Sequence, residues 1–284
     1  MNKRMKRFTF LLIAVCIGLT LAAQQTKELF ILHTNDTHSR IEPLPKTDPN
    51  PEIAGNAGYV RRATFVRQMR AEHPDLLLFD CGDISQGTPY YNIFKGELEF
   101  KLMNEMKYDA VAIGNHEFDF GLDNMARLFR MVDFPIVCAN YDVRGTVLEG
   151  LVKEYVILKR KGLKIGVFGL SPEMDGLVQA DKCEGIRFEP PAEAAQRTAH
   201  LLKHDKKCDL VICLSHMGWK GLKYGDCDWI PLTKDVDIVL GGHSHTYFTE
   251  PEPVKNADGV DVPVQQMGKH GAFVGVMKVR MKKK

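Results

Sequence analysis

The residues with the most chemistry to offer are acids, amides and histidines that follow apolar runs. Ala110-Val111-Ala112-Ile113 reads as a buried strand and leads into Gly114-Asn115-His116-Glu117-Phe118-Asp119. Gly114 permits a sharp turn. The residues after it supply an amide oxygen, an imidazole and, three places on, a carboxylate. The pattern recurs. Leu29 to Thr34 ends in Asn35-Asp36-Thr37-His38, and Asp75 to Phe79 ends in Asp80-Cys81-Gly82-Asp83. Leu210 to Leu214 ends in Ser215-His216, and Ile238 to Leu240 ends in Gly241-Gly242-His243-Ser244-His245. Asp36, His38, Asp83, Asn115, His116, His216, His243 and His245 are therefore candidate donors. Any one of them reads equally well as a turn former. Five of the 10 histidines falling at strand ends is what a shared site predicts.

This donor mixture suits two divalent ions. Imidazole favours zinc, manganese and iron, whereas carboxylate and amide oxygens admit manganese and magnesium. A bridging carboxylate can hold two ions roughly 3.5–4 Å apart, the spacing of in-line phosphoryl displacement, and such ions generate hydroxide near neutral pH.

The elements that must position these donors alternate between strand and helix. Helices are predicted over Tyr59 to Glu72 (on Val60, Ala63, Thr64, Val66 and Met69), Glu97 to Met106, Leu122 to Met131 and Pro191 to Lys206. A short strand is predicted at Pro135 to Ala139, a hairpin from Tyr155 to Leu158 and Leu163 to Leu170, and closing strands at Val260 to Gln266 and Phe273 to Met281. Ile41 to Asn56, with four prolines, and Gln86-Gly87-Thr88-Pro89 read as loops. The alternation predicts an α/β sheet core covered by helices, with mixed sheets because of the late hairpins. Ligands in such sheets bind beyond the carboxyl ends of strands, where every polar motif here falls.

The 284 residues suffice for one large domain, and 44% hydrophobic with 26% charged residues is ordinary globular composition. A net charge of +2 is too small to imply a nucleic-acid polymer as a partner, and none is expected. Lys3, Arg4, Lys6 and Arg7 precede an apolar stretch from Phe8 to Ala23 that ends in Leu21-Ala22-Ala23. Residues 1–23 therefore read as a signal peptide and 24–284 as the exported body, periplasmic or at the cell surface in a bacterium. An uncleaved anchor is the alternative, and it would be the only membrane contact. Val15 before Cys16 argues against lipidation. Cys81, Cys138, Cys183, Cys208, Cys213 and Cys227 show no CxxC spacing and read as free thiols, with Cys183 to Cys227 or Cys208 as the one pairing left open.

Asp36-Thr37-His38, Gly82-Asp83, Gly114-Asn115-His116-Glu117, Ser215-His216 and Gly242-His243-Ser244-His245 resemble the ordered motifs of calcineurin-like metallophosphoesterases. Thr34-Asn35-Asp36-Thr37-His38, Gln86-Gly87-Thr88-Pro89 and the run through Phe118-Asp119 narrow the resemblance to the catalytic domain of 5′-nucleotidases. The resemblance implies a four-layer α-β-β-α sandwich. It implies that Asp36, His38, Asp83 and His245 hold one ion and Asp83, Asn115, His216 and His243 the other, with Asp83 as the bridge. By the same resemblance His116 is not a ligand but acts on the phosphate, Asp119 fixes its tautomer, and Asn115 also touches the phosphate. Typical 5′-nucleotidases add a C-terminal domain that grips the base. This sequence ends at Lys284, about where a linker to it would begin, so a separately encoded nucleotide-binding domain is one expectation and unaided action on many phosphomonoesters is another.

The leading expectation is an exported dinuclear phosphohydrolase that removes phosphate from nucleotides by hydroxide attack. The alternatives are a 2′,3′-cyclic-nucleotide phosphodiesterase and, in another class, a non-catalytic metal-binding scaffold. Trp219, Tyr224 and Trp229 either shape the pocket mouth or pack beneath its loop.

Overall fold

In the strand Thr26–Thr34, Leu29 and Ile31 point to one side and Leu32 to the other, and all three are fully buried. A strand covered on both faces reads as a continuous apolar run, which is why alternation is missing from this stretch. The computed structural model describes residues 26–282, and the expected signal peptide lies outside them. No helix among the described residues is long and apolar enough to cross a membrane.

The strands are β1 (Thr26–Thr34), β2 (Leu77–Asp80), β3 (Ala110–Ala112), β4 (Ile136–Val137), β5 (Tyr141–Asp142), β6 (Val152–Lys153), β7 (Tyr155–Arg160), β8 (Leu163–Leu170), β9 (Arg187–Phe188), β10 (Leu210–Ser215), β11 (Ile238–Gly241), β12 (Glu252–Lys255), β13 (Asp261–Gln265) and β14 (Gly275–Lys282). The first sheet runs β14-β1-β2-β3-β4-β6, parallel except for β14. The second runs β12-β13-β11-β10-β8-β7, parallel at its centre with antiparallel strands at both edges. Strands β5 and β9 form a separate pair.

Ile31, Phe79 and Ala112 of the first sheet meet Val167, Ile212 and Leu240 of the second in a core between the sheets. Helices α1 (Tyr59–Glu72), α3 (Glu97–Met106) and α4 (Gly121–Phe129) lie on the outer side of the first sheet, and the short helix α2 (Pro89–Phe94) packs against α3. There Val66, Phe100 and Met125 join Leu32 and Val111. On the far side of the second sheet, α5 (Pro191–His200) packs Ala195 and Ala199 on Phe168 and Val211. The short helix α6 (Asp226–Trp229) joins the same cluster through Trp229. The layers are α-β-β-α, as the motif series implied.

Three details depart from the sequence reading. Thr88 caps a helix that starts at Pro89, with the Tyr91 N–H donating to the Thr88 hydroxyl, so the expected loop is shorter. The helix expected over Pro191 to Lys206 becomes a π turn at Leu201–Asp205. The buried face of α1 is Tyr59, Arg62 and Val66, while Val60 is 79% exposed. All six cysteines among the described residues are free, so the pairing left open for Cys183 is not formed.

Candidate metal centre

The parallel strands of both sheets end on the same edge, and the loops that follow interlock. The N–H groups of Asp36, His38 and Ser39 donate to the carbonyls of Gly82, Asp83 and Ile84 at 2.9, 3.0 and 2.8 Å. This lashes the loop after β1 to the loop after β2. The Glu117 carboxylate then accepts the N–H groups of Asp83, Ile84 and Gly114 at 3.0, 2.9 and 2.6 Å. Gly114 must be glycine, since a Cβ there would lie 2.2 Å from Asp83 Oδ1.

This lashing holds an unusual backbone. Asp36, His38, Asp83, His243 and His245 all have left-handed φ, from 44° to 72°. Such conformations cost non-glycine residues about 1 kcal/mol or more each, and they persist only where surrounding bonds enforce them. Here they turn five side chains inward from the loops after β1, β2 and β11.

Two groups of donors result. In the first, His245 Nε2 lies 3.1 Å from His38 Nε2 and 3.4 Å from Asp36 Oδ1. In the second, His216 Nε2 lies 3.1 Å from Asp83 Oδ2, with the His243 ring 5.1 Å from that of His216. The groups adjoin, since His216 Nε2 is 3.9 Å from Asp36 Oδ1. Asp36 is aimed by its neighbours. Its Oδ2 accepts the Asn35 amide at 2.6 Å and the His243 N–H at 2.9 Å.

The residues fit divalent cations on three observations. His216 Nδ1 donates to the Cys81 carbonyl at 2.6 Å, which fixes the ring and turns the buried Nε2 toward the Asp83 and Asp36 carboxylates, where a cation would replace its proton. Asn115 Oδ1 is buried without any hydrogen-bond partner, an orphan acceptor that a cation would satisfy. Burial pushes His38 and His243 down to about 4, which keeps their imidazoles neutral and able to ligate. At His216 burial acts in the same direction, but the Asp83 and Asp36 carboxylates outweigh it and push the group up to about 10. The site thus favours positive charge at that nitrogen.

Beside the donors, the His116 N–H donates to Asp83 Oδ1 at 2.9 Å, and its ring stands edge-on to His38 at 5.5 Å. His116 Nδ1 is 3.2 Å from both oxygens of Asp119. Burial opposes the charged imidazole, yet the Asp119 bond and the Asp83 carboxylate raise its pKa above the ordinary histidine value. All nine residues singled out from the sequence therefore stand at one edge of the sandwich.

Sequence reasoning missed the residues that hold them. Glu117 was visible in the motif without a role. Gln266 accepts the Thr246 N–H at 2.6 Å and donates to the Gly242 carbonyl at 2.8 Å, clamping the loop that carries His243 and His245. Nothing in its local sequence signals this, since the partners are some 20 residues away. Trp229 is buried and donates to Asp226 Oδ1 at 2.9 Å, so it packs beneath the loop rather than at a mouth. Trp219 meets Phe248 edge-on at 4.9 Å, and Tyr224 lies 5.9 Å from Phe188.

Comparison with known proteins identifies the family of this fold. The family model described as calcineurin-like phosphoesterase matches residues 30–247. A snake venom 5′-nucleotidase of Naja atra is 34% identical over 272 residues, 89% of this chain and 50% of the relative. A 5′-nucleotidase of Bos taurus is 33% identical over 303 residues, 100% of this chain and 52% of the relative. The chain thus spans about half the length of these curated relatives. Among solved structures, a 5′-nucleotidase precursor from Thermus thermophilus superposes with a TM-score of 0.78 at 30% identity, over 89% of this chain and 51% of that one. The calcineurin-like phosphoesterase YfkN from Bacillus subtilis superposes at 0.76 with 26% identity, over 92% of this chain and 87% of that one.

Proposed function

Because the chain belongs to the calcineurin-like phosphoesterase family, we propose that it is an exported phosphoester hydrolase with two divalent ions, acting on nucleotide 5′-phosphates. The observation that carries the reading is the pair of adjoining donor groups, Asp36-His38-His245 and Asp83-His216-His243, with His116 and Asp119 beside them. Asp36, His38, Asp83 and His245 would hold one ion, and Asp83, Asn115, His216 and His243 would hold the other. Zinc and manganese both suit that donor set. When bound, the ions neutralise charge on the phosphoryl oxygens and make water acidic enough to attack near neutral pH.

The chain's own residues do the rest. With Nδ1 held by Asp119, His116 presents Nε2 outward, where it donates a proton to the leaving oxygen of the ester. The Asp119 bond and the Asp83 carboxylate, which raise its pKa above the ordinary histidine value, favour the protonated form such a donor needs. Asn115 would offer its unpartnered Oδ1 to an ion, leaving its NH₂ group to donate to the phosphate. Glu117, Asn35 and Gln266 are positioning residues that keep the loops rigid.

The nucleotide preference rests on relatives named 5′-nucleotidases. A second reading, diester hydrolysis of 2′,3′-cyclic nucleotides or broad phosphomonoesterase action, is favoured by a relative of another kind. A Bacillus subtilis protein named trifunctional nucleotide phosphoesterase is 29% identical over 90% of this chain. The deciding experiment measures hydrolysis of AMP, a 2′,3′-cyclic nucleotide and an aryl phosphate, with manganese or zinc added. A strong preference for AMP supports nucleoside recognition by this chain. Equal rates on AMP and the aryl phosphate assign selectivity to a separately encoded nucleotide-binding domain or to none. No hydrolysis of any ester would leave the scaffold reading.

A further inference from the structure

A second cluster of histidines and an acid lies on the opposite edge of the second sheet. His204 Nε2 is 3.0 Å from Asp235 Oδ1, and His200 Nδ1 is 3.6 Å from Asp235 Oδ2. The two imidazole rings are 4.5 Å apart and tilted by 32°. One ligand atom from each of the three residues falls within 4.8 Å of the others. We propose that His200, His204 and Asp235 form a third cation site, for a borderline divalent ion such as zinc, nickel or copper. It is separate from the catalytic pair and does not rest on the reading of that centre.

The elements are built to bring these three together. His200 ends α5, and the chain then widens into the π turn Leu201–Asp205, which the Lys206 N–H closes on the Leu201 carbonyl at 2.9 Å. Such single π turns recur at functional sites because they re-aim side chains without ending the helix. Asp235 has φ 70°, the left-handed conformation, and that turns its carboxylate back toward the helix. The Lys234 N–H donates to the Gln196 side chain at 2.8 Å and fixes the loop against α5 one turn before His200.

The charge balance is favourable. Lys203 is bound to both oxygens of Asp237, at 2.9 and 2.7 Å, and Lys234 is paired with Asp258. The ammonium groups of Lys203 and Lys234, which adjoin His204 and Asp235 in the chain, are therefore engaged elsewhere, and the Asp235 carboxylate faces the two imidazoles. Two imidazoles and one carboxylate, with the His200 and His204 side chains at least half exposed, leave coordination positions open to water or to another ligand.

Position makes the site separable. Asp235 precedes β11 and the π turn precedes β10, whereas His216 and His243 follow the same two strands. The six residues of β10 put roughly 20 Å between the two sites.

The test uses chelator-stripped protein, with zinc binding counted by equilibrium dialysis and copper followed by electron paramagnetic resonance. Wild type is compared with His200→Ala/His204→Ala and with His204→Gln. Alanine is the best helix former, so the double variant keeps its fold. The catalytic donors are present in all three proteins. The expected result is one zinc equivalent fewer in the double variant and loss of a copper signal carrying nitrogen coupling. His204→Gln should bind that equivalent at least roughly 10–100-fold more weakly. Rates on an aryl phosphate should be the same in all three. Equal zinc stoichiometry and an unchanged copper signal in wild type and the double variant would overturn the proposal, leaving a surface His–Asp ion pair.

Discussion

The Glu117 carboxylate accepts the backbone N–H of Asp83 at 3.0 Å, so a residue that never faces the cleft sets the position of one that does. The same carboxylate also holds Ile84 and Gly114. Glutamine at 117 offers one acceptor oxygen, and its NH₂ group would oppose a backbone N–H. Glu117→Gln should therefore destabilise the fold by about 1–3 kcal/mol, and by spoiling the Asp83 geometry it should weaken metal retention. Urea unfolding and metal content after dialysis check both. An unchanged metal affinity in a destabilised variant would reduce Glu117 to a structural residue.

His116 should separate chemistry from metal binding. His116→Ala should keep its metal content and lose on the order of 10²–10⁴ in kcat on AMP, the usual worth of a positioned general acid. The loss should be smaller on an aryl phosphate, whose leaving group needs less protonation. Asp119→Asn should fall between wild type and His116→Ala, since the imidazole remains but its tautomer and charge are no longer enforced. Equal losses on both esters would argue that His116 stabilises the phosphate rather than protonating the leaving oxygen.

Metal removal should abolish hydrolysis and lower the melting temperature together. A cation bound only by the folded state stabilises it by about 2.7 kcal/mol at a hundredfold excess over Kd. Chelator-treated protein should regain both properties with manganese or zinc. Asp36→Asn should regain stability poorly, because Asp36 stands between the two donor groups. Full activity after exhaustive chelation would overturn the metal assignment.

What could be read from the sequence follows from where the information sits. The strand-end donors were legible because an apolar run that stops at Asp36, Asp83, Asn115, His216 or His243 announces its polar end locally. Helices α1 and α3 were legible for the same reason, as their periodicity lies within the segment. What failed was non-local or marginal. Strand β12 is largely exposed and contains Pro253, and only its pairing with β13 makes it a strand. Val60 looked like a core residue on a helical stripe, yet the face that turned inward carries Arg62, packed over Tyr59 at 4.3 Å. Helix α2 was missed although Thr88-Pro89 is a capping signal, because glycine and proline so near each other read first as a turn. Gln266 could not be found at all, since its role exists only once β13 lies beside β11.

His33 makes a prediction about acid stability away from the donor groups. It is fully buried on β1, with Nε2 3.1 Å from the Gln265 side-chain oxygen, and Gly275 packs so closely that a Cβ there would touch the ring. Burial pushes its pKa down to about 4, against the Gln265 bond, from an ordinary value of 6.5. The folded chain therefore holds His33 neutral over a range in which the unfolded chain takes up a proton. Stability from this residue is complete above pH 6.5, is lost progressively as pH falls from 6.5 to about 4, and changes no further below that. The loss should reach roughly 2 kcal/mol by pH 5, at about 1.4 kcal/mol per pH unit. Urea unfolding at pH 7.5 and pH 5, at equal metal loading, should show that difference in wild type. His33→Gln should lower stability at pH 7.5 through imperfect packing but lack most of the additional loss at pH 5. The same pH difference in both proteins would place the acid sensitivity elsewhere.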